Sequence, residues 1–85
     1  MRFKVKDTMT IEGIPFQTEA EFKEKVEKNS SVTTFETFMK DEIVELQVNC
    51  VNGDGFSFDA FYTRSDGQKL YLFDLGVSEF EKLEE

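Results

Sequence analysis

Few side chains in this chain could do chemistry. Its 85 residues hold 18 acids, 10 bases, one cysteine and no histidine. Without histidine, the usual nucleophile triads, histidine-dependent metal sites and imidazole acid–base catalysis are closed. Cys50 sits in an alternating apolar run and reads as a core thiol with no base to activate it. Asn52-Gly53-Asp54-Gly55 invites a calcium-loop reading. With Asp54-Gly55 at loop positions five and six, however, Cys50 falls on the first ligand position and Phe61 on the last, so the alignment fails. Neither Gly53-x-Gly55 nor Asp66-Gly67 has the lysine or helix context of a phosphate loop. Asp59 and Asp74 could pair as carboxylates, but nothing near them in sequence suggests a substrate pocket. The reading is non-enzymatic, with no cofactor and no metal.

What remains is charge and aromatic surface. The net charge is −8, and it is unevenly placed. Residues 1–28 set six basic side chains against six acidic ones, whereas residues 29–85 set four against twelve. Such a domain repels nucleic acid and anionic membrane. Glu36, Asp41, Glu42 and Glu45 cluster in sequence, and Asp59 falls near Glu45 on the polar face of an expected sheet. This points to an acidic face that meets a basic protein partner, as an inhibitor or decoy of a nucleic-acid-handling protein would. A second reading starts from Phe61, Tyr71 and Phe73, which interrupt that polar face. Left exposed, they would mark a homo-oligomer interface and a structural role. The competing expectation is that another element covers them within the chain.

The elements that must position these residues centre on 43–75. Val44, Leu46, Val48 and Cys50 alternate with Glu45, Gln47 and Asn49, the pattern of a half-buried strand. Phe56, Phe58, Ala60 and Tyr62 continue it, and Leu70 to Leu75 is apolar on both faces. The sequence predicts strands near 43–51, 56–64 and 69–75, joined as two hairpins. Parity favours a three-residue first loop, with Asn52 opening a type I turn and Gly55 left-handed. That sets Cys50 opposite Phe58 and Val48 opposite Ala60. A Ser65-Asp66-Gly67 loop keeps Asp59 from facing Asp74 and pairs Tyr62 with Leu70.

Upstream, Phe3 and Val5 alternate with Arg2, Lys4 and Lys6, which reads as an edge strand guarded by lysines. Met9 and Ile11 continue it, Glu12-Gly13 reads as a turn, and Ile14-Pro15-Phe16 as an edge strand or extended arm. Thr18 to Glu21 is a capping box that opens a helix over 19–28, with Phe22 and Val26 on one face. Residues 32–40 suit a strand or a helix, and the strand is favoured. Ser78 to Glu81 is another capping box, for a short C-terminal helix. The whole is one domain, 1–85, of α+β class. An antiparallel sheet of about four to six strands packs its even-numbered face on the main helix. The expected core is Phe3, Val5, Phe22, Val26, Val44, Leu46, Val48, Cys50, Phe58, Ala60, Leu72 and Phe80. A single cysteine and no signal-peptide pattern suggest a reducing, cytoplasmic setting, and no run approaches the ~18 apolar residues of a membrane span.

Overall fold

The computed structural model describes residues 1–29 and 32–83. In chain order these form β1 (Arg2–Val5), β2 (Met9–Phe16), α1 (Glu19–Glu27), β3 (Thr34–Phe38), β4 (Ile43–Glu45), β5 (Gln47–Val51), β6 (Ser57–Thr63), β7 (Lys69–Gly76), a 3-10 turn (Val77–Glu79) and β8 (Phe80–Lys82). The class is α+β and the strand pairs are antiparallel. The strands divide into two sheets instead of the one expected, ordered β4-β1-β8 and β3-β2-β7-β6-β5.

Two sheets answer the demand of a strand that is apolar on both faces. β7 needs cover above and below, and one helix can supply only one side. On the inner side, Phe58, Ala60, Leu70 and Leu72 meet Phe3, Val5, Val44 and Phe80 of the smaller sheet. Phenylalanine rings fill the space between, with Phe3 stacked on Phe58 at 5.6 Å and Phe80 edge-on to both. The helix therefore does not lie on the even-numbered face. It covers the opposite face, where Phe22 meets Phe16, Phe61 and Tyr71 at 5.1, 5.2 and 4.8 Å. Of the expected core, Val26 is 46% exposed and Cys50 is on the surface, while Phe22 and Val48 are half-buried. Phe16, Phe38, Leu70 and Leu75 are buried without having been expected.

The capping box at Thr18 forms as read, with the Glu21 amide donating to Thr18 Oγ1 at 3.1 Å. Glu19–Lys23, Glu21–Lys25 and Glu24–Lys28 then pair one turn apart along α1. Residues 34–38 are a strand that buries Phe38 against Tyr62. The C-terminal capping box does not form a helix. Phe80 pairs opposite Val5 in β8, and a strand delivers its ring to the core where a helix of a few residues would have little stability of its own.

Two further expectations are corrected upstream. β1 is the middle strand of its sheet, so its cations guard no edge, and Lys4 pairs with Asp41 at 3.6 Å. β2 runs unbroken through Gly13, which is no turn. A Cβ there would come within 2.8 Å of Leu72 Cδ2, so glycine is what lets β2 lie this close to β7. Pro15 sits beyond the last β3 partner, where β2 has no strand on that side among the described residues.

The hairpins decide where the polar residues go. The second closes on Ser65-Asp66-Gly67, with Gly67 at φ +93° and Tyr62 facing Leu70 as that loop requires. The first begins as expected, with the Gly55 amide bonded to the Asn52 carbonyl at 2.9 Å and φ +75°. It closes one residue later, through Asn52 N–H to the Ser57 carbonyl, so the loop holds four residues and not three. Val51 now faces Phe58 and Cys50 faces Asp59, until a bulge at Asn49 restores Val48 opposite Ala60. The even loop turns Phe56 out to solvent, 77% exposed, and moves Cys50 off the apolar face.

Candidate functional site

The acids singled out by sequence do not share one cluster: Glu36 and Glu42 both lie beside Tyr62, Asp59 has a separate set of partners, and the others hold local structure. Glu36, half-buried on β3, accepts from Arg64 Nε at 2.9 Å, while the same guanidinium donates to the Phe35 carbonyl. Asp41 sits in the β3–β4 turn at φ +69°, paired with Lys4. Glu42 accepts from the Met39 amide at 2.9 Å. Glu45 holds the N-terminal ammonium of Met1 at 3.0 Å and remains exposed.

Asp59 is built into a bulge. Between Phe58↔Leu75 and Ala60↔Leu72, β7 carries Phe73 and Asp74 where β6 carries Asp59 alone. The Asp59 carboxylate accepts from the Asp74 amide at 3.1 Å, the Tyr71 hydroxyl at 3.1 Å and the Cys50 thiol at 3.3 Å. Burial alone would raise its pKa, but these hydrogen bonds and one from Asn52 outweigh it and hold the group below the usual aspartate value. The carboxylate in turn pushes the exposed Cys50 thiol up, first by accepting its hydrogen bond. Burial, reinforced by Asp59, pushes Tyr71 up to about 12 although Asn49 donates to its oxygen. The cluster thus holds an ionised carboxylate, a protonated thiol and a protonated phenol at neutral pH. A thiol in that state is a poor nucleophile.

Phe61 and Tyr71 lie beneath Phe22 of α1, so the covered arrangement is the one adopted, and Phe73 is half-buried at the β7 bulge. Between α1 and the outer face of β5–β6 an open groove of about 540 Å³ is lined by Phe22, Lys23, Asn49 and Lys69 among others. A second groove, of about 440 Å³, opens between the two sheets and is almost wholly apolar. Met1, Phe3, Val48, Val51, Phe58 and Val77 line it, and Val51 is 63% exposed. Searches of family models, curated proteins and solved structures give no match to the chain.

That second groove was not anticipated. Its cause is the four-residue loop, which swings Val51 to the inner side in place of Cys50. The signal was the Phe56 that directly follows Gly-Asp-Gly, since an even loop is what leaves that ring outside. No cluster of three or more potential metal ligands occurs among the described residues. No helix among them is long and apolar enough to cross a membrane.

Proposed function

We propose that the chain is a non-catalytic binding module that presents a negatively charged surface to a basic protein, in the manner of an inhibitor or decoy of a nucleic-acid-handling protein. The observation that carries this reading is how the cations are used. Lys4, Lys23, Lys25, Lys28, Arg64 and the Met1 ammonium each pair with an acid of their own neighbourhood. From Val51 to Leu83, six acids stand against three bases, and one of those three, Arg64, belongs to Glu36. The remaining field is negative and faces solvent, which steers a basic partner and speeds its association. The homo-oligomer reading has less support, because α1 occupies the aromatic face it would need.

The test is affinity capture from the source cell at about 50 mM and about 500 mM salt, beside a Glu45→Gln/Glu81→Gln companion. A basic protein recovered at low salt, weakened at high salt and depleted by the companion supports the reading. Recovery of the chain alone at both salts overturns it.

A further inference from the structure

The smaller apolar groove runs along a strand edge that has no partner strand among the described residues. β4 and β5 are separated only by Leu46, and β1 lies along one side of β4 as far as that residue. The Leu46 amide donates to the Met1 carbonyl at 2.8 Å, and the Met1 ammonium to the Leu46 carbonyl at 3.1 Å. Backbone groups alternate in direction along a strand, so Val48 points its amide and carbonyl to the same side as Leu46, away from β6. From the other end, Asn52 bonds to Ser57 of the β6 side, so Val51 also points its backbone away. β5 is the terminal strand of its sheet, so past Leu46 this side has an open row of donors and acceptors. The opposite edge of the same sheet differs. There the Arg64 guanidinium lies on the β3 carbonyl of Phe35. β5 carries none of the lysines or prolines that protect exposed edges.

Beside this open edge lies the 440 Å³ apolar groove. We infer that β5 accepts an extended segment of a basic partner protein as an added strand, in line with β1, with alternate apolar side chains seated in the groove. This rests on the binding-module reading above. Backbone pairing to Val48 and Val51 supplies affinity, and alternate pockets supply specificity, as in strand-addition complexes generally. Charge selects the occupant. Glu81 lines the groove beside Lys82, Glu45 holds the Met1 ammonium at its edge, and Asp54, which accepts from the Phe56 amide, stands toward its Val77 end, where the Val77 amide bonds to the Phe56 carbonyl at 3.0 Å. At the rim these acids face cations of their own, since Arg2 lies opposite Glu45 and Lys4 opposite Glu81, so the selection rests on the negative charge of the chain as a whole. A second copy of the chain would bring another net charge of −8 to this edge, whereas a segment alternating apolar with lysine or arginine is attracted.

The experiment uses a displayed library of random twelve-residue peptides selected on the intact chain, followed by synthesis of the enriched peptide. The expected consensus alternates apolar and basic residues. Single N-methylation along the peptide should then weaken binding tenfold or more at every second position and leave the positions between unchanged. Amide exchange at Val48 and Val51 should slow by at least tenfold on binding, and Val51→Pro, which removes an outward donor of an edge strand, should weaken binding similarly. A basic consensus without alternation overturns the strand mode and leaves the binding-module reading standing. Enrichment of acidic peptides, or of none, sinks both. A dimer in sedimentation that Val51→Pro dissolves assigns the edge to a second copy and overturns the proposal.

Discussion

Replacing Phe22 with Ala should undock α1 while leaving the core between the sheets folded. The helix has nine residues, below the roughly 12–15 that sustain a helix alone in water. None of its residues is fully buried, and Val26 is half exposed. Its apolar anchorage is therefore one ring set against Phe16, Phe61 and Tyr71, beside the hydrogen bond from Lys25 Nζ to the Pro15 carbonyl. Truncating a fully buried phenylalanine costs about 3–5 kcal/mol. Phe22 is half-buried, so the expected loss is about 2 kcal/mol, part of it from aromatic contacts of roughly 0.5–1.5 kcal/mol each. Urea unfolding should report that loss. Amide exchange should show residues 19–27 losing protection while Leu70 and Leu72 keep most of theirs. Phe22→Leu, which retains apolar contact, should fall between. A Phe22→Ala variant that loses under about 0.5 kcal/mol and keeps helix protection would show that α1 is held by something other than this ring.

Three further outcomes follow from single residues. Gly13→Ala should destabilise by about 1–3 kcal/mol, since its Cβ meets Leu72 Cδ2 at 2.8 Å and the Tyr71 carbonyl at 3.2 Å, whereas Gly53→Ala, with open space around it, should change stability little; chemical denaturation of both decides. Asp59 is held below its ordinary pKa, so its contribution is fully present above the unfolded value near ~4 and is lost as pH falls through the lower folded value. The stability gap between the parent and Asp59→Asn should be widest at neutral pH and shrink below about pH 4, as denaturation at several pH values would show. The same variant removes the carboxylate that raises the Cys50 thiol, so alkylation of this exposed cysteine near pH 8 should be faster in Asp59→Asn; an unchanged or slower rate would contradict the assigned cause.

Local chemistry was legible where one residue type answered one geometric need. The Thr18 cap, the left-handed Gly55 and the Ser65-Asp66-Gly67 register all follow from side-chain and backbone preferences that act over a few residues. The rest is decided by longer-range competition. Parity fixed the first loop as odd only if no bulge intervened, and the bulge at Asn49 absorbed the extra residue. Cys50 and Phe56 were misplaced by that single step. Ser78-Glu79-Phe80-Glu81 carries a helix signal, yet pairing Phe80 with Val5 outweighs it. Alternation showed that the 69–75 strand had two apolar faces but not which partner would take each one. Proximity in sequence does not put the acids in one cluster: the β3–β4 turn brings Glu36 and Glu42 together beside Tyr62, whereas Asp59 is held by Tyr71, Cys50 and Asp74.

The central claim is that this negative surface, with the groove beneath β5, receives a basic partner. Its most direct test is the association rate of the selected peptide, measured by stopped flow across salt concentrations for the parent and for Glu45→Gln/Glu81→Gln. The expected result is a rate that falls at least tenfold between about 50 mM and about 500 mM salt, with a shallower slope in the variant and a dissociation rate altered far less. An association rate that does not respond to salt, or that is the same in both proteins at low salt, would contradict the claim and leave the charge as a matter of solubility.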